Sequence, residues 1–353
     1  MSHHLETALP GLADRVPHLQ LADLPTPVST HGVTRNAHSL SISVKHDERS
    51  GSLYGGNKVR KLEYLLARAK EKDAPRVATY GAAGSNHALA TALYARQAGF
   101  ECTCLLSHQP PAPSIGQKLL AHQAAGTEIV RFGGTRPRRV AIQREYLRGR
   151  GLSLIPMGGT SWVGSLGFVN AGLELAAQIE DGAVGAPERL YVALGTMGTA
   201  AGLALGLALA GQSIDVHAVR VTDPRFGNEP GLRHLLRKTA MLMRRYDSRV
   251  PADLAARARV VFRDDFYGEG YGRRNAATDA AIAFAGDALG IRLDSTYSGK
   301  AMAALLADVD AGSTTAPMFW NTYNAVPLDI PAGMKPDFTV LPDEFERYFP
   351  ARA

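Results

Sequence analysis

The apolar positions of this chain change period repeatedly along its length. "RVATYGA" (Arg76 to Ala82) is a short apolar run of strand length. "NHALATALYARQAGF" then spaces its apolar residues as a helix does, ending at Gly99. "ECTCLLS" reads as a second strand, closed by the Pro110–Pro111 break. A helix around "IGQKLLAHQAAG", a strand at "TEIVRF", a helix near "RVAIQREYLRGRG" and a strand at "LSLIP" follow. The rhythm returns after the glycine-rich "MGGTSWVGSLGF": helix at "NAGLELAAQIE", strand at "RLYVALG", helix at "TAAGLALGLALAG", strand at "IDVHAVRV". Strands alternating with helices predict a parallel α/β sheet. In such sheets, sites form at strand C-terminal ends beside helix N-termini.

Length and composition narrow the class. The 353 residues exceed the usual size of a single core, so two domains are expected. With 45% hydrophobic and 20% charged residues the chain can bury a full core. The net charge of +6 suits anionic small molecules. No dense Lys/Arg stripe occurs, and Arg136 to Arg139 is short and broken by Pro137, so nucleic acid is not an expected partner. The two cysteines, Cys102 and Cys104, flank Thr103 and would share one face of a strand. They form neither a disulfide framework nor a metal-ligand spacing. A reducing cytoplasm and no metal are therefore expected. No signal-peptide pattern and no bilayer-length apolar run is present, so no membrane association is expected.

Three strand-end loops carry candidate chemistry. In "ALGTMGTAAGL" a strand runs through Gly195, Thr196, Met197, Gly198 and Thr199 into a helix. Converging backbone N–H groups and a helix dipole make this either a phosphate cradle or a tight strand-to-helix turn. It is not G-x-G-x-x-G, and no acidic residue ends the next strand to hold a ribose. In "GAAGSNHA", Ser85, Asn86 and His87 stand at a helix N-terminus. Ser85 or Asn86 there is either an N-cap or a ligand for a carboxylate or other oxygen. In "YGGNKVRKLEYLL", Lys58 sits in the first turn of an amphipathic helix. A helix N-terminus disfavours an ammonium, and a lysine of lowered pKa suits Schiff-base chemistry. Lys61 lies one turn on, and these considerations do not choose between the two.

Together these parts resemble the pyridoxal-phosphate enzymes of the aminocyclopropane-carboxylate deaminase / D-cysteine desulfhydrase family, which have the tryptophan-synthase-β-like fold (fold type II). The resemblance runs from "LPTPV" through "GGNKVRKLEYLL", "GSNHA", "IPMGGTSWVGSLGFVNAGLELA", "GTMGTAAGL" and "GYG" to "DSTYSGKAMAAL". It implies a two-domain α/β enzyme with parallel-rich sheets flanked by helices. Residues 1–58 and 172–353 would form the large cofactor domain, and 59–171 a small inserted one. It implies pyridoxal 5'-phosphate bonded to Lys58, with Asn86 on the phenolic oxygen. Gly195, Thr196, Met197, Gly198 and Thr199 would meet the phosphate, and Thr322 the pyridine nitrogen. Ser85 would meet the substrate carboxylate and serve in catalysis. Tyr297 would be a catalytic tyrosine. His87, Tyr271 and Tyr323 would face the substrate.

By the same resemblance the protein would be a cytoplasmic homodimer. It would act as a lyase that turns a small amino acid, such as a D-amino acid with a β-leaving group, into a 2-oxo acid and ammonia. Alternatives are a cyclopropane-opening deaminase, a β-replacement enzyme, or a non-catalytic cofactor- or nucleotide-binding protein. Four departures from the family pattern bear on the substrate. Gly84 stands where the family has Gln, Ala276 where it has an acid, and Ser298 where the deaminases have Glu. Asn321-Thr322-Tyr323-Asn324 stands where the desulfhydrases have His-Thr-Gly-Gly. The expected result is a pocket that loses volume at Tyr323 and gains it at Gly84, with the Asn324 amide seeking a polar substrate group.

Overall fold

The computed structural model describes residues 3–36, 38–148 and 151–349. Two short helical turns, α1 (His4–Ala8) and α2 (Pro10–Ala13), precede a hairpin of β1 (Val28–Arg35) and β2 (His38–Lys45). Helix α3 (Val59–Lys70) leads into β3 (Arg76–Ala82), α4 (Asn86–Gln97), β4 (Glu101–Ser107), α5 (Ser114–Ala124), β5 (Glu128–Arg131), α6 (Arg136–Leu147) and β6 (Leu152–Leu154). The long α7 (Trp162–Glu180) precedes β7 (Arg189–Leu194), α8 (Gly198–Leu209), β8 (Asp215–Arg220), α9 (Glu229–Tyr246), α10 (Leu254–Arg257) and β9 (Val260–Arg263). The chain closes with α11 (Ala276–Leu289), α12 (Ser298–Asp310), β10 (Pro317–Trp320) and a 3-10 turn at Asp343–Tyr348.

Strands β3 to β6 make a four-stranded sheet in the order β5-β4-β3-β6, all parallel. The other six form a sheet ordered β1-β2-β10-β7-β8-β9, parallel except for the β1–β2 hairpin. The expected parallel α/β architecture is therefore present. The central strands β10 ("PMFW") and β7 ("RLYVAL") are buried nearly throughout, as strands covered on both faces must be. One apolar cluster joins Leu62, Val77, Ile155, Leu166, Val192 and Val216, so it runs from one sheet to the other. A second, with Ile42, Tyr191, Val219 and Leu305, fills the opposite face of the larger sheet.

One sequence expectation is corrected. The glycine-rich "WVGSLGF", expected to precede a helix at "NAGLELAAQIE", forms the first two turns of α7. Ser161 caps it by accepting from the Gly164 N–H at 3.1 Å. Its glycines are there for close approach: a Cβ on Gly167 would lie 2.0 Å from the Arg60 carbonyl oxygen. This contact seats α7 directly against the first turn of α3, next to Lys58. The same junction is tied by Arg60, which bonds Glu174 of α7 at 2.9 and 3.0 Å and Asp47 at 2.8 Å, all fully buried.

Candidate active site

Strand ends of both sheets open on one cavity of about 520 Å³. Lys58 lines it as the N-cap of α3. Burial lowers its pKa to about 8, against the opposing pull of the Asp294 carboxylate. The Lys58 amine has no hydrogen-bond partner among the described residues, whereas Lys61 Nζ donates to the Gly158 carbonyl at 3.2 Å. Lys61 is also lowered, by burial first and then by the charge of Lys58.

The loop from Gly195 to Thr199 joins β7 to the N-terminus of α8 and lines the cavity with Gly195, Thr196, Met197 and Thr199. Met197 holds a left-handed backbone (φ 71), a strained conformation for a residue with a side chain. Polar groups converge on the loop: a Cβ on Gly198 would stand 3.0 Å from Thr160 Oγ1, 3.2 Å from Lys61 Nζ and 3.4 Å from Ser165 Oγ. Thr160 Oγ1 donates to Thr196 Oγ1 at 2.7 Å, and Asn57 Nδ2 to Thr199 Oγ1 at 3.1 Å. Hydroxyls, an ammonium and a helix N-terminus together make a cradle for a dianion.

Ser85, Asn86 and His87 come from the turn between β3 and α4, and all three line the cavity. Ser85 does act as N-cap, accepting from the Ala88 N–H at 3.2 Å. No hydrogen bond engages the N–H groups of Asn86 and His87 among the described residues. Asn86 Oδ1 accepts from Lys118 Nζ at 2.7 Å and Tyr54 Oη at 3.0 Å, which leaves its NH2 group as the end free to donate. His87 Nε2 pairs with Thr79 Oγ1 at 3.0 Å, and burial first, then Lys58 and Lys61, keep the ring neutral.

Gly84 does not open space as the sequence suggests. Its N–H donates to Gln109 Oε1 at 3.0 Å, and the side chain of Gln109 fills that corner of the cavity.

On another wall Tyr271 and Tyr297 bring their hydroxyls to 2.5 Å, and the Tyr297 ring lies over Gly195. Burial and the neighbouring Tyr271 raise the Tyr297 pKa well above its ordinary value. Asp294 Oδ1 accepts from the N–H groups of Thr296 and Tyr297, while Oδ2 is buried without a partner. Burial raises its pKa. Ser298 accepts from the Asp294 N–H at 2.8 Å and does not line the cavity, so the carboxylate in this region is Asp294 rather than a residue after Tyr297.

Thr322 lines the cavity; Tyr323 does not. The Tyr323 ring packs under the Arg292 guanidinium, 5.4 Å from its centroid. The Asn324 amide is satisfied within the protein, by Gly55 N–H at 2.6 Å and by both backbone groups of Val326. Tyr323 therefore takes no space from the cavity, and the Asn324 amide needs no substrate group to satisfy it.

Sequence reasoning passed over Gln109, Lys118, Tyr54 and Asp294. Lys118 did carry a signal, standing in the buried stripe of α5 with Ile115, Leu119 and His122. Gln109 carried none, because it lies in the loop after β4, remote from Gly84 in sequence.

A family model of pyridoxal-phosphate dependent enzymes matches residues 19–317. The Nocardicin C-9' epimerase of Nocardia uniformis subsp. tsuyamanensis is 34% identical over 289 residues, 80% of this chain and 85% of that one. A D-cysteine desulfhydrase of Klebsiella pneumoniae is 32% identical over 301 residues, 83% of this chain and 88% of that one. The crystal structure of an ACC deaminase homologue superposes with a TM-score of 0.75 at 28% identity, covering 92% of this chain and 95% of that one. The site fits this cofactor: the hydroxyl- and lysine-lined corner around Gly198 suits its phosphate, and the half-buried Lys58 amine, without a hydrogen-bond partner among the described residues, suits its aldehyde. The chain belongs to the fold type II pyridoxal-phosphate-dependent enzymes, in the family of the D-cysteine desulfhydrases and aminocyclopropane-carboxylate deaminases.

Proposed function

We propose that the protein is a lyase that removes a β-substituent and ammonia from a small amino acid and releases a 2-oxo acid. The observation that carries this is the meeting, in one cavity, of the Lys58 amine with the Tyr271–Tyr297 pair, whose hydroxyls lie 2.5 Å apart. Lys58 is the residue that bonds the cofactor aldehyde. Gly195 to Thr199, with Thr160 and Lys61, would hold the phosphate, the Asn86 NH2 would meet the phenolic oxygen and Thr322 the pyridine nitrogen. Bound pyridoxal phosphate supplies the electron-accepting ring that stabilises charge at the substrate α-carbon. The division of proton work follows from the shifts. An amine with a pKa of about 8 is partly neutral at physiological pH, so Lys58 takes the α-proton. Tyr297 stays protonated, so its hydroxyl, held 2.5 Å from that of Tyr271, is a hydrogen-bond donor for the departing group rather than a strong acid toward it.

The relative named D-cysteine desulfhydrase supports a D-amino acid with a thiolate-like leaving group. The protein is read as a cytoplasmic homodimer whose smaller domain spans 59–171. Its free cysteines, both buried, are in keeping with a reducing compartment.

A second reading, epimerisation, is favoured by the 34%-identical relative named an epimerase and by Ser85, a hydroxyl lining the cavity on a different loop from Lys58. Two proton carriers on separate elements would let the α-hydrogen leave and return. A panel of D- and L-amino acids incubated in deuterated water separates the readings. Elimination releases a 2-oxo acid. Epimerisation leaves the amino acid intact with deuterium at the α-carbon and its optical rotation lost. Absence of both across the panel overturns the catalytic reading.

A further inference from the structure

We propose that Gln109 is a substrate-binding residue whose amide donates to the α-carboxylate of the amino acid, and that Tyr348 of the C-terminal turn is the positioning residue that holds it there. This rests on the reading of the substrate as an amino acid.

Because the Gly84 N–H needs an acceptor, the bond at 3.0 Å engages Oε1 of Gln109 and leaves Nε2, which also lies beside Gly84, as the donating end of the amide. That NH2 group has no protein partner among the described residues, yet Gln109 lines the cavity beside Ser85 and Asn86. The unbonded N–H groups of Asn86 and His87 open on the same corner, at the N-terminus of the twelve-residue α4. The Gly84 peptide is held at its other end too, by Lys118 Nζ on its carbonyl at 3.0 Å. Helix N–H groups, a nearby ammonium and a free amide donor together describe a carboxylate subsite.

What fixes Gln109 comes from the far end of the chain. The Tyr348 hydroxyl accepts from the Gln109 N–H and donates to the Gln109 carbonyl, both at 2.9 Å, and lies 3.2 Å from His108 Nδ1. Phe345 packs edge-on to the His108 ring, centroids 5.5 Å apart. This strap lies beyond residue 317, where the family match ends. The amide beside Ser85 and Asn86 is thus supplied by the loop after β4 and braced by the C-terminal turn.

The test measures binding of D- and L-alanine, which carry no leaving group, and of alaninamide, which lacks the carboxylate. The change in cofactor absorbance of the loaded enzyme gives each Kd. The Gln109→Leu variant is expected to bind alanine about tenfold more weakly, with alaninamide nearly unchanged. The Gln109→Glu variant, of equal length but anionic, should bind alanine more weakly still. The Tyr348→Phe variant should weaken alanine binding about threefold in the native background and not at all in the Gln109→Leu background, because its effect passes through Gln109. Circular dichroism and the absorbance of the loaded variants should match wild type. Unchanged alanine binding in both Gln109 variants, or an equal loss for alaninamide, overturns the inference. If wild type shows no absorbance change with any amino acid, the amino-acid reading itself fails and this inference falls with it.

Discussion

At Lys58 burial decides the chemistry. A pKa of about 8 leaves about one amine in ten neutral at pH 7, against fewer than about one in a thousand for an ordinary lysine. Cofactor loading of the apoprotein should therefore accelerate with pH through a midpoint near 8 and level off above it. Stopped-flow absorbance measures this, and a midpoint above 10 would show that the amine is not desolvated. The pocket wall yields a second expectation. Tyr323→Gly should leave KM within about twofold, since its ring packs on Arg292. Asn324→Ala should cost about 1–3 kcal/mol of stability, because it strips the buried Gly55 N–H of its acceptor. Denaturant melts and kinetics on the two variants check both. These residues also mark where sequence reading stops. The helix N-terminal positions of Lys58, Asn86 and the Gly195–Thr199 loop were legible, because each sits at a turn with its own local signature. Gln109 taking the space beside Gly84 was not, because that is a tertiary contact between residues 25 apart.

Among the elements, the junction of α3 and α7 sets the reacting lysine in place. Glu174 is buried, which by itself would raise its pKa, but Arg60 and Lys45 hold it at about 2. Glu174→Gln should cost about 3–5 kcal/mol, because buried Lys45 loses its counter-charge and Arg60 is left with Asp47 alone. The sign with pH follows from the depressed value. The stabilisation is complete above the ordinary carboxylate pKa of 4.5 and is lost as pH falls from there through about 2. Urea melts of both proteins should thus converge on acidification below 4.5. The alternating apolar rhythm revealed β3 to β8, whose strands are mostly buried and apolar. β1 and β2 were passed over, although "HSLSISVK" alternates Leu40, Ile42 and Val44 with serines, the two-residue period of a half-buried strand; "VSTHGVTR" on the sheet edge carries the weaker signal. The rhythm also missed the start of α7, where glycines serve helix contact rather than chain reversal.

Across the whole molecule, two sheets, one parallel and one parallel except for the β1–β2 hairpin, turn strand C-terminal ends toward one cavity, and each contributes a different chemistry. The larger sheet brings the phosphate loop and Thr322. The smaller brings the Ser85–Asn86 turn and, through β4, Gln109. Lys58 lies on the chain between them. That it carries the cofactor is the claim on which the functional account depends, and its neighbour Lys61 is the competing site. Loading the purified protein with pyridoxal phosphate, reducing it with borohydride and mapping the labelled peptide tests this directly. The account predicts a yellow absorbance before reduction and the label on Lys58. A label on Lys61, or no absorbance change on adding the cofactor, would contradict it.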